Sequence, residues 1–176
     1  MTVEQLLTGY ASAELRQLEA RIEVCLAKLS DDQIWSRAGE NSNAIGNLCL
    51  HLTGNVRQWI LHGVGGAPDE RLRDAEFAAR GAVSRDELLS RLRETVEAAC
   101  AVIDAVPPER LLVVIMPQLY TVTVAEAILH VAGHFAQHTG QIVLLTKTLT
   151  GEDLGFYAQL TGSAPAAPPP AGREHP

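Results

Sequence analysis

The sequence predicts an all-α protein, a four-helix bundle with long connections. Four stretches carry apolar residues at helical spacing, and three of them begin with a Ser or Thr three residues before a Gln or Glu, the pattern of a helix-capping box. Each helix then has one apolar face to cover, and four helices cover these faces most economically as a bundle. The chain has 176 residues, 47% of them apolar, which suffices for one such domain over residues 1–161.

The first helix begins at the capping box formed by Thr2 and Gln5. The turn-rich segment SDDQIWSRAGENS follows it and predicts a break in the helical pattern. A second helix is expected over about residues 43–62 and should end at Gly63, because glycine suits the position just after a helix C-terminus.

A long connection rich in glycine and charge follows, with one short helix expected at about residues 69–79. The third helix is expected to begin at the capping box of Ser84 and Glu87 and to end before Pro107 and Pro108. Next comes LLVVIMPQLYTVT, whose β-branched and aromatic residues predict a short extended segment or hairpin before the fourth helix.

The fourth helix is expected to begin at the capping box of Thr123 and Glu126 and to end at Gly151. Residues 162–176 are rich in Pro and Ala and have no apolar periodicity, so we expect a disordered tail.

Charge and cysteine usage narrow the function classes. The formal net charge of −7 disfavours partners with a phosphate backbone and anionic membrane surfaces, so we expect neither nucleic acid nor membrane as a partner. There is no run of 18 apolar residues and no signal-peptide pattern, so a cytoplasmic location is expected. Cys25, Cys49 and Cys100 are isolated from one another and are expected to be buried apolar residues in a reducing compartment.

The fourth helix carries histidines at successive turns, in the run AILHVAGHFAQHTGQIV. Side chains four residues apart lie above one another on one face, so two neighbouring imidazoles can direct nitrogen atoms at one metal ion. Spacing alone leaves both pairs open, His130 with His134 and His134 with His138. A solvated face of three histidines is the alternative interpretation.

A third ligand is expected from the second helix, where Asn47, His51 and Asn55 recur at successive turns and Gln58 follows. Polar groups that face a core need partners, and a metal site with polar groups around it supplies them. Bundles commonly build such sites from side chains on facing helices. The alternative is that the two asparagines and Gln58 are polar residues on the protein surface.

The motif HVAGHFAQHTGQI, together with NAIGNLCLHLTGNVRQWI, resembles the DinB-like superfamily, also called the YfiT-like metal-dependent hydrolases, and in particular its bacterial members of unknown function. The resemblance extends through GEDLGFYAQL to about residue 160. It implies a four-helix bundle that holds a divalent metal with three histidines. The implied ligands are His51, His134 and His138, because TGQ follows His138, and His130 then lies outside the ligand set, near the pocket.

Three imidazoles with an open coordination position are typical of a catalytic zinc site, so zinc is the expected metal, and nickel also suits an all-nitrogen site. The resemblance implies an enzyme that acts on a small molecule, either a hydrolase or an S-transferase that uses a low-molecular-weight thiol. The alternative is a non-catalytic metal-binding or stress-associated bundle that acts through dimerisation or interaction. A homodimer is expected in either case.

Further polar side chains are expected around the metal, to orient its ligands or the substrate. These are Asn47, Asn55, Gln58, His130, Gln137 and Gln141. The sequence places no pair of carboxylates near the site, so it identifies no general base.

Overall fold

A computed structural model describes residues 1–81 and 83–160. The predicted tail, residues 162–176, lies outside the described residues. The six α-helices of the described part are α1 (Val3–Ala27), α2 (Asp31–Trp35), α3 (Ile45–Val56), α4 (Arg73–Ala78), α5 (Arg85–Asp104) and α6 (Val124–Thr150). A π-helical segment, Arg57–Val64, continues α3, and two short strands, β1 (Val114–Ile115) and β2 (Val122–Thr123), precede α6.

The four long helices form the bundle that the sequence predicts. Helix α1 packs against both α5 and α6, and α3 packs against the same two helices from the other side. Large apolar side chains fill the space between them and are almost fully buried, among them Leu15, Ile22, Leu52, Leu92, Ile103, Ile128 and Phe135. Burying one such side chain is worth about 1.5–3 kcal/mol, so the shared core holds the helices in place.

Local signals set most helix ends as predicted. Complete capping boxes start α1 at Thr2 and α6 at Thr123. Ser84 caps α5 through the backbone N–H of Glu87, but the Glu87 side chain pairs with Arg91 instead of returning to the cap. Gly151 ends α6 with a φ of 70°, in the left-handed region that glycine adopts without strain.

Two local features differ from the predictions. The segment SDDQIWSRAGENS breaks the helical pattern, as expected, but it also contains the short helix α2, which was not expected and which starts at a complete capping box of Ser30 and Gln33. The second helix was expected to end at Gly63, but it continues to Val64, and Gly65 caps it. The reason is the change to wider turns after Val56, in which Gly65 N–H donates to the carbonyl of Ile60, five residues back.

The segment before α6 is extended, as predicted, and forms a small hairpin. Strands β1 and β2 pair antiparallel, with Val114 opposite Thr123. The hairpin therefore ends at the residue that caps α6, and it lies beside the π-helical segment, where Gly63 faces Pro117. Among the described residues, no helix combines the length and the apolarity that a membrane crossing requires.

The connection between the second and third long helices contains α4, close to the short helix predicted at residues 69–79. Helix α4 packs against α3. The three cysteines are free and buried, as predicted. Burial raises the pKa of the Cys49 thiol to about 12, so it stays protonated at neutral pH.

Candidate metal centre

Helices α3 and α6 bring three histidines together inside the bundle. His51 comes from α3, and His134 and His138 come from α6. One ring nitrogen from each lies within 4.8 Å of the others. The Nε2 atoms of His51 and His134 are 2.9 Å apart, and the ring of His138 stands edge-on to both. The alternative of three solvated histidines on the fourth helix does not describe His134 and His138, which are half-buried and converge on His51.

Glu76 fixes the orientation of the His51 ring. Its Oε2 atom lies 3.0 Å from Nδ1 of His51. An ionised carboxylate can only accept hydrogen bonds, so Nδ1 carries the proton and donates it to Glu76. The Nε2 atom of His51 then presents a lone pair toward α6, which is the tautomer that binds a metal.

Arg71 holds Glu76 in the ionised form. Its Nε and Nη2 atoms donate to the two carboxylate oxygens at 2.8 and 2.9 Å, in the two-pronged geometry that suits guanidinium and carboxylate. Burial raises the pKa of Glu76, but the hydrogen bonds from Arg71 and His51 outweigh it and leave the pKa lowered. Arg71 Nη2 is also 3.2 Å from His51 Nδ1, and both nitrogens donate to the carboxylate between them.

A glycine makes this approach of Glu76 to α3 possible. A Cβ atom on Gly54 would lie 1.9 Å from Oε1 of Glu76 and 2.8 Å from its Cδ. No side chain other than hydrogen fits at this position while the carboxylate stays in place. The contact between Glu76 and His51 therefore depends on the glycine at position 54.

On α6, Gln141 orients the ring of His138, as Glu76 orients the ring of His51. Its Oε1 atom lies 2.7 Å from Nδ1 of His138, so Nδ1 donates and Nε2 keeps the lone pair. Burial, followed by the neighbouring His138 and His51, lowers the pKa of His134 to about 4, and burial lowers the pKa of His138 as well. Both side chains are consequently neutral at pH 7, as metal ligation requires.

These donors fit a divalent metal of the zinc class. All three are imidazole nitrogens, two of them have a partner that fixes the required tautomer, and no carboxylate or thiol of the described residues joins the set. An all-imidazole set of three is typical of zinc sites that keep one position open.

A cavity of about 690 Å³ opens beside the histidines, with His51 and His134 in its wall. His130 also lines it and does not belong to the three-histidine cluster, which agrees with the implied exclusion of His130 from the ligand set. The His130 ring stacks on Trp59 at a centroid distance of 4.0 Å, and Tyr120 flanks Trp59 at 6.0 Å. The π-helical segment and the β-hairpin thus supply an aromatic wall next to the metal-binding groups.

The polar residues predicted around the site have different roles. Asn47 is fully buried and does not contact a histidine of the cluster. Its side-chain amide binds the carbonyls of Glu76 and Ala79, so it fastens α4 to α3. Gln58 accepts a hydrogen bond from Arg71 and donates one to Asp69, so it supports the guanidinium of Arg71.

Asn55 and Gln137 differ from these. Asn55 is buried in the cavity wall, and its Oδ1 atom has no hydrogen-bond partner among the described residues. Gln137 is exposed on α6 and has no hydrogen bond to a histidine of the cluster among the described residues. The surface interpretation of Asn47, Asn55 and Gln58 is wrong, since all three are buried.

Sequence reasoning missed Glu76 and Arg71. Both lie in the connection between two helices, where no periodicity indicates which side chains turn inward. One signal was present, because Gly54 interrupts an apolar helix one turn after His51, and an isolated glycine in a helix often marks a close approach by another group.

Comparison with known proteins agrees with this fold. A family model described as a protein of unknown function, DUF1572, matches residues 4–160. No curated protein shows significant similarity to the chain.

Solved structures with the same fold include a conserved protein from Enterococcus faecalis, with a TM-score of 0.68 and 19% identity, over 86% of this chain and 99% of that one. A DinB-like protein from Bacillus subtilis has a TM-score of 0.64 and 16% identity, over 84% of this chain and 97% of that one. A DinB-like protein from Bacillus cereus has a TM-score of 0.61 and 14% identity, over 77% and 85%. The resemblance to DinB-like proteins is confirmed for the fold, and the chain belongs to the DUF1572 family.

Proposed function

We propose that the protein is a divalent-metal-dependent enzyme that acts on a small molecule, as an S-transferase that uses a low-molecular-weight thiol or as a hydrolase. The proposed ligands are His51, His134 and His138, the proposed metal is zinc, and nickel is an acceptable substitute. One observation carries the proposal. Three imidazole nitrogens converge at the wall of a cavity of about 690 Å³, which leaves room for a substrate beside the metal.

A bound divalent ion supplies Lewis-acid chemistry, which activates water, polarises a carbonyl group or binds a thiolate. The chain's own residues prepare the site for it. Glu76 and Gln141 hold the protons of His51 and His138 on Nδ1, away from the metal. Trp59 and His130, whose rings stack on each other, line one side of the cavity.

The open cavity favours an enzyme over the non-catalytic metal-binding bundle, since a purely structural site is normally closed by a fourth protein ligand. The net charge of −7 supports a small-molecule partner over nucleic acid or a membrane surface. Exposed apolar residues on α6, Leu129 and Leu144, support a homodimer, which light scattering would test. The cytoplasmic location stays a prediction.

Metal analysis of the purified protein tests the ligand set. We expect about one metal ion per chain in the parent protein and loss of that metal in His51→Ala and His134→Ala. His130→Ala is the matched control, because it removes a histidine one turn from His134 on the same helix and should keep its metal. Full metal content in His51→Ala and His134→Ala would refute the ligand set.

Activity is tested on the metal-loaded protein with a panel of low-molecular-weight thiols combined with electrophiles, and separately with ester and amide substrates. Thiol-dependent consumption of the electrophile would indicate a transferase, and thiol-independent cleavage a hydrolase. If no rate exceeds that of the metal-free protein, the non-catalytic alternative is favoured.

A further inference from the structure

Two buried polar atoms in the cavity wall have no partner among the described residues. They are the Oδ1 atom of Asn55 and the Nε1 atom of Trp59. Both residues are at least nine-tenths buried, and both line the cavity that contains His51 and His134. They lie four residues apart, at the junction of α3 and the π-helical segment, so they are neighbours on one side of the helix.

Buried polar groups without partners are rare, because each costs about 1–3 kcal/mol relative to a hydrogen-bonded group. Gln58, which lies between Asn55 and Trp59 in the sequence, accepts a hydrogen bond from Arg71 and donates one to Asp69. The two unpartnered atoms thus differ from the side chain of Gln58, which lies on the same stretch of helix.

Their chemistry describes a complementary ligand. The Oδ1 atom of Asn55 needs a donor, and the indole N–H of Trp59 needs an acceptor. A secondary amide supplies both, since its N–H and its carbonyl group belong to adjacent atoms.

A cation lies at the same cavity. Arg73 lines it, is exposed, and sits over the ring of Phe77 at 4.9 Å, without an ion pair to any carboxylate of the described residues. Arg71, the other arginine in the wall, is committed to Glu76. Glu126 in the wall is committed to the helix cap, where it accepts from both the N–H and the hydroxyl of Thr123. Arg73 is therefore free to bind an anionic group of the ligand.

We infer that the cavity binds a small molecule with an amide and a carboxylate, in the manner of an N-acyl amino acid or a short peptide. Asn55 and Trp59 read the amide, and Arg73 binds the carboxylate. This inference rests on the proposed function in one respect only, that the bound molecule is a substrate. Binding itself requires the wall residues and not the metal.

Titration calorimetry with matched probes tests the inference on the full chain. The first probe is N-acetyl-L-leucine. The second is the 2-acetoxy acid with the same side chain, in which an ester oxygen replaces the N–H. We expect the amide to bind about threefold to tenfold more tightly, as the loss of one hydrogen bond implies. Equal affinities of the two probes, or no binding by N-acetyl-L-leucine, would overturn the inference.

Variants locate the effect. Asn55→Leu should remove the preference for the amide over the ester. Trp59→Phe should weaken both probes, and Trp35→Phe should weaken neither, because the Trp35 N–H is already bound to the carbonyl of Val83. The preference is a ratio measured within one variant, so a general loss of stability cancels. An unchanged preference in Asn55→Leu would contradict the assignment.

Two further comparisons complete the test. Arg73→Gln should weaken N-acetyl-L-leucine but not its neutral amide derivative, and equal losses for both would contradict the role of Arg73. Every titration is repeated after removal of metal by a chelator. If the purified protein binds no metal but still prefers the amide probe, this inference holds and the proposed metal-dependent enzyme fails. If the protein binds metal but shows no preference for the amide, this inference fails and the proposed function stands.

Discussion

Replacing Gly54 by alanine should weaken metal binding although the substitution removes no metal ligand and no charge. The new Cβ atom would lie 1.9 Å from Oε1 of Glu76, a distance that the structure cannot accommodate without moving the carboxylate. Glu76 would then lose its hydrogen bond to Nδ1 of His51, and the ring would no longer be fixed in the metal-binding tautomer.

The magnitude follows from the contacts. Loss of a group that orients a metal-binding histidine typically lowers metal affinity by about 10- to 100-fold, which is about 1.4–2.8 kcal/mol. The fold is affected less. Alanine gains about 0.5–1 kcal/mol over glycine inside a helix, while the loss of one hydrogen bond to a charged group costs about 1.5–3 kcal/mol. We expect a net decrease of about 1–2 kcal/mol in the free energy of unfolding of the metal-free protein.

The assay is a competition titration for zinc against a chromophoric chelator, at pH 7.5 with parent and variant side by side. Gly9→Ala is the matched control, because Gly9 lies inside α1 with no atom within 4 Å of the added Cβ. It should leave metal affinity unchanged. Parent-like affinity in Gly54→Ala, or an equal loss in Gly9→Ala, would refute the role assigned to Glu76.

Three other predictions concern protonation, ligand orientation and packing. Because the pKa of His134 is lowered to about 4 from 6.5, the unfolded chain binds more protons than the folded protein between these values. The free energy of unfolding of the metal-free protein should therefore stay nearly constant above pH 6.5 and decrease as the pH drops toward 4. Urea titrations that give the same free energy of unfolding across that pH range would contradict this. Gln141→Leu should lower zinc affinity about tenfold in the chelator assay, because the hydrogen bond to His138 is lost. Gln137→Leu, which changes an equally exposed glutamine of the same helix without such a hydrogen bond among the described residues, should leave the affinity unchanged, and equal effects would exclude an orienting role for Gln141. Gly46→Ala should destabilise the fold by about 1–3 kcal/mol, because its Cβ would lie 2.8 Å from the Trp35 ring. Gly133→Ala should stabilise the fold by about 0.5–1 kcal/mol, because no atom lies within 4 Å of the added Cβ. Thermal unfolding that reverses this order would show that the local packing is wrongly described.

The sequence predicted the bundle and the shared face of the α6 histidines well, because both depend on spacing within helices. A helix repeats every 3.6 residues, so residues four apart share a face whatever the rest of the chain does. Hydrogen-bonding caps at Thr2 and Thr123 depend on residues only three apart and were equally readable. The same pattern at Ser30 and Gln33 was overlooked inside a segment interpreted as a turn.

Prediction failed where a position depends on the path of a connection. Glu76 reaches His51 across 25 residues, and nothing in its immediate sequence sets that path. The end of the second helix failed for another reason. A π-helical segment has no strong sequence pattern, so Gly63 had the expected residue type for a helix end but lies inside the helix. The choice of His138 over His130 came from family resemblance, and spacing alone left it open.

The wide turns of Arg57–Val64 make the wall of the cavity sensitive to chain length. Deletion of a single residue in this segment would let the backbone return to ordinary α-helical pairing, and the residues after the segment would keep nearly their present direction, because the wide turns already take up one extra residue. His51 lies upstream of the change and would keep its place, while Trp59 and the cavity wall would be rearranged. Length variation at this point would therefore let evolution diversify the molecules that the pocket admits while the histidine cluster stays constant.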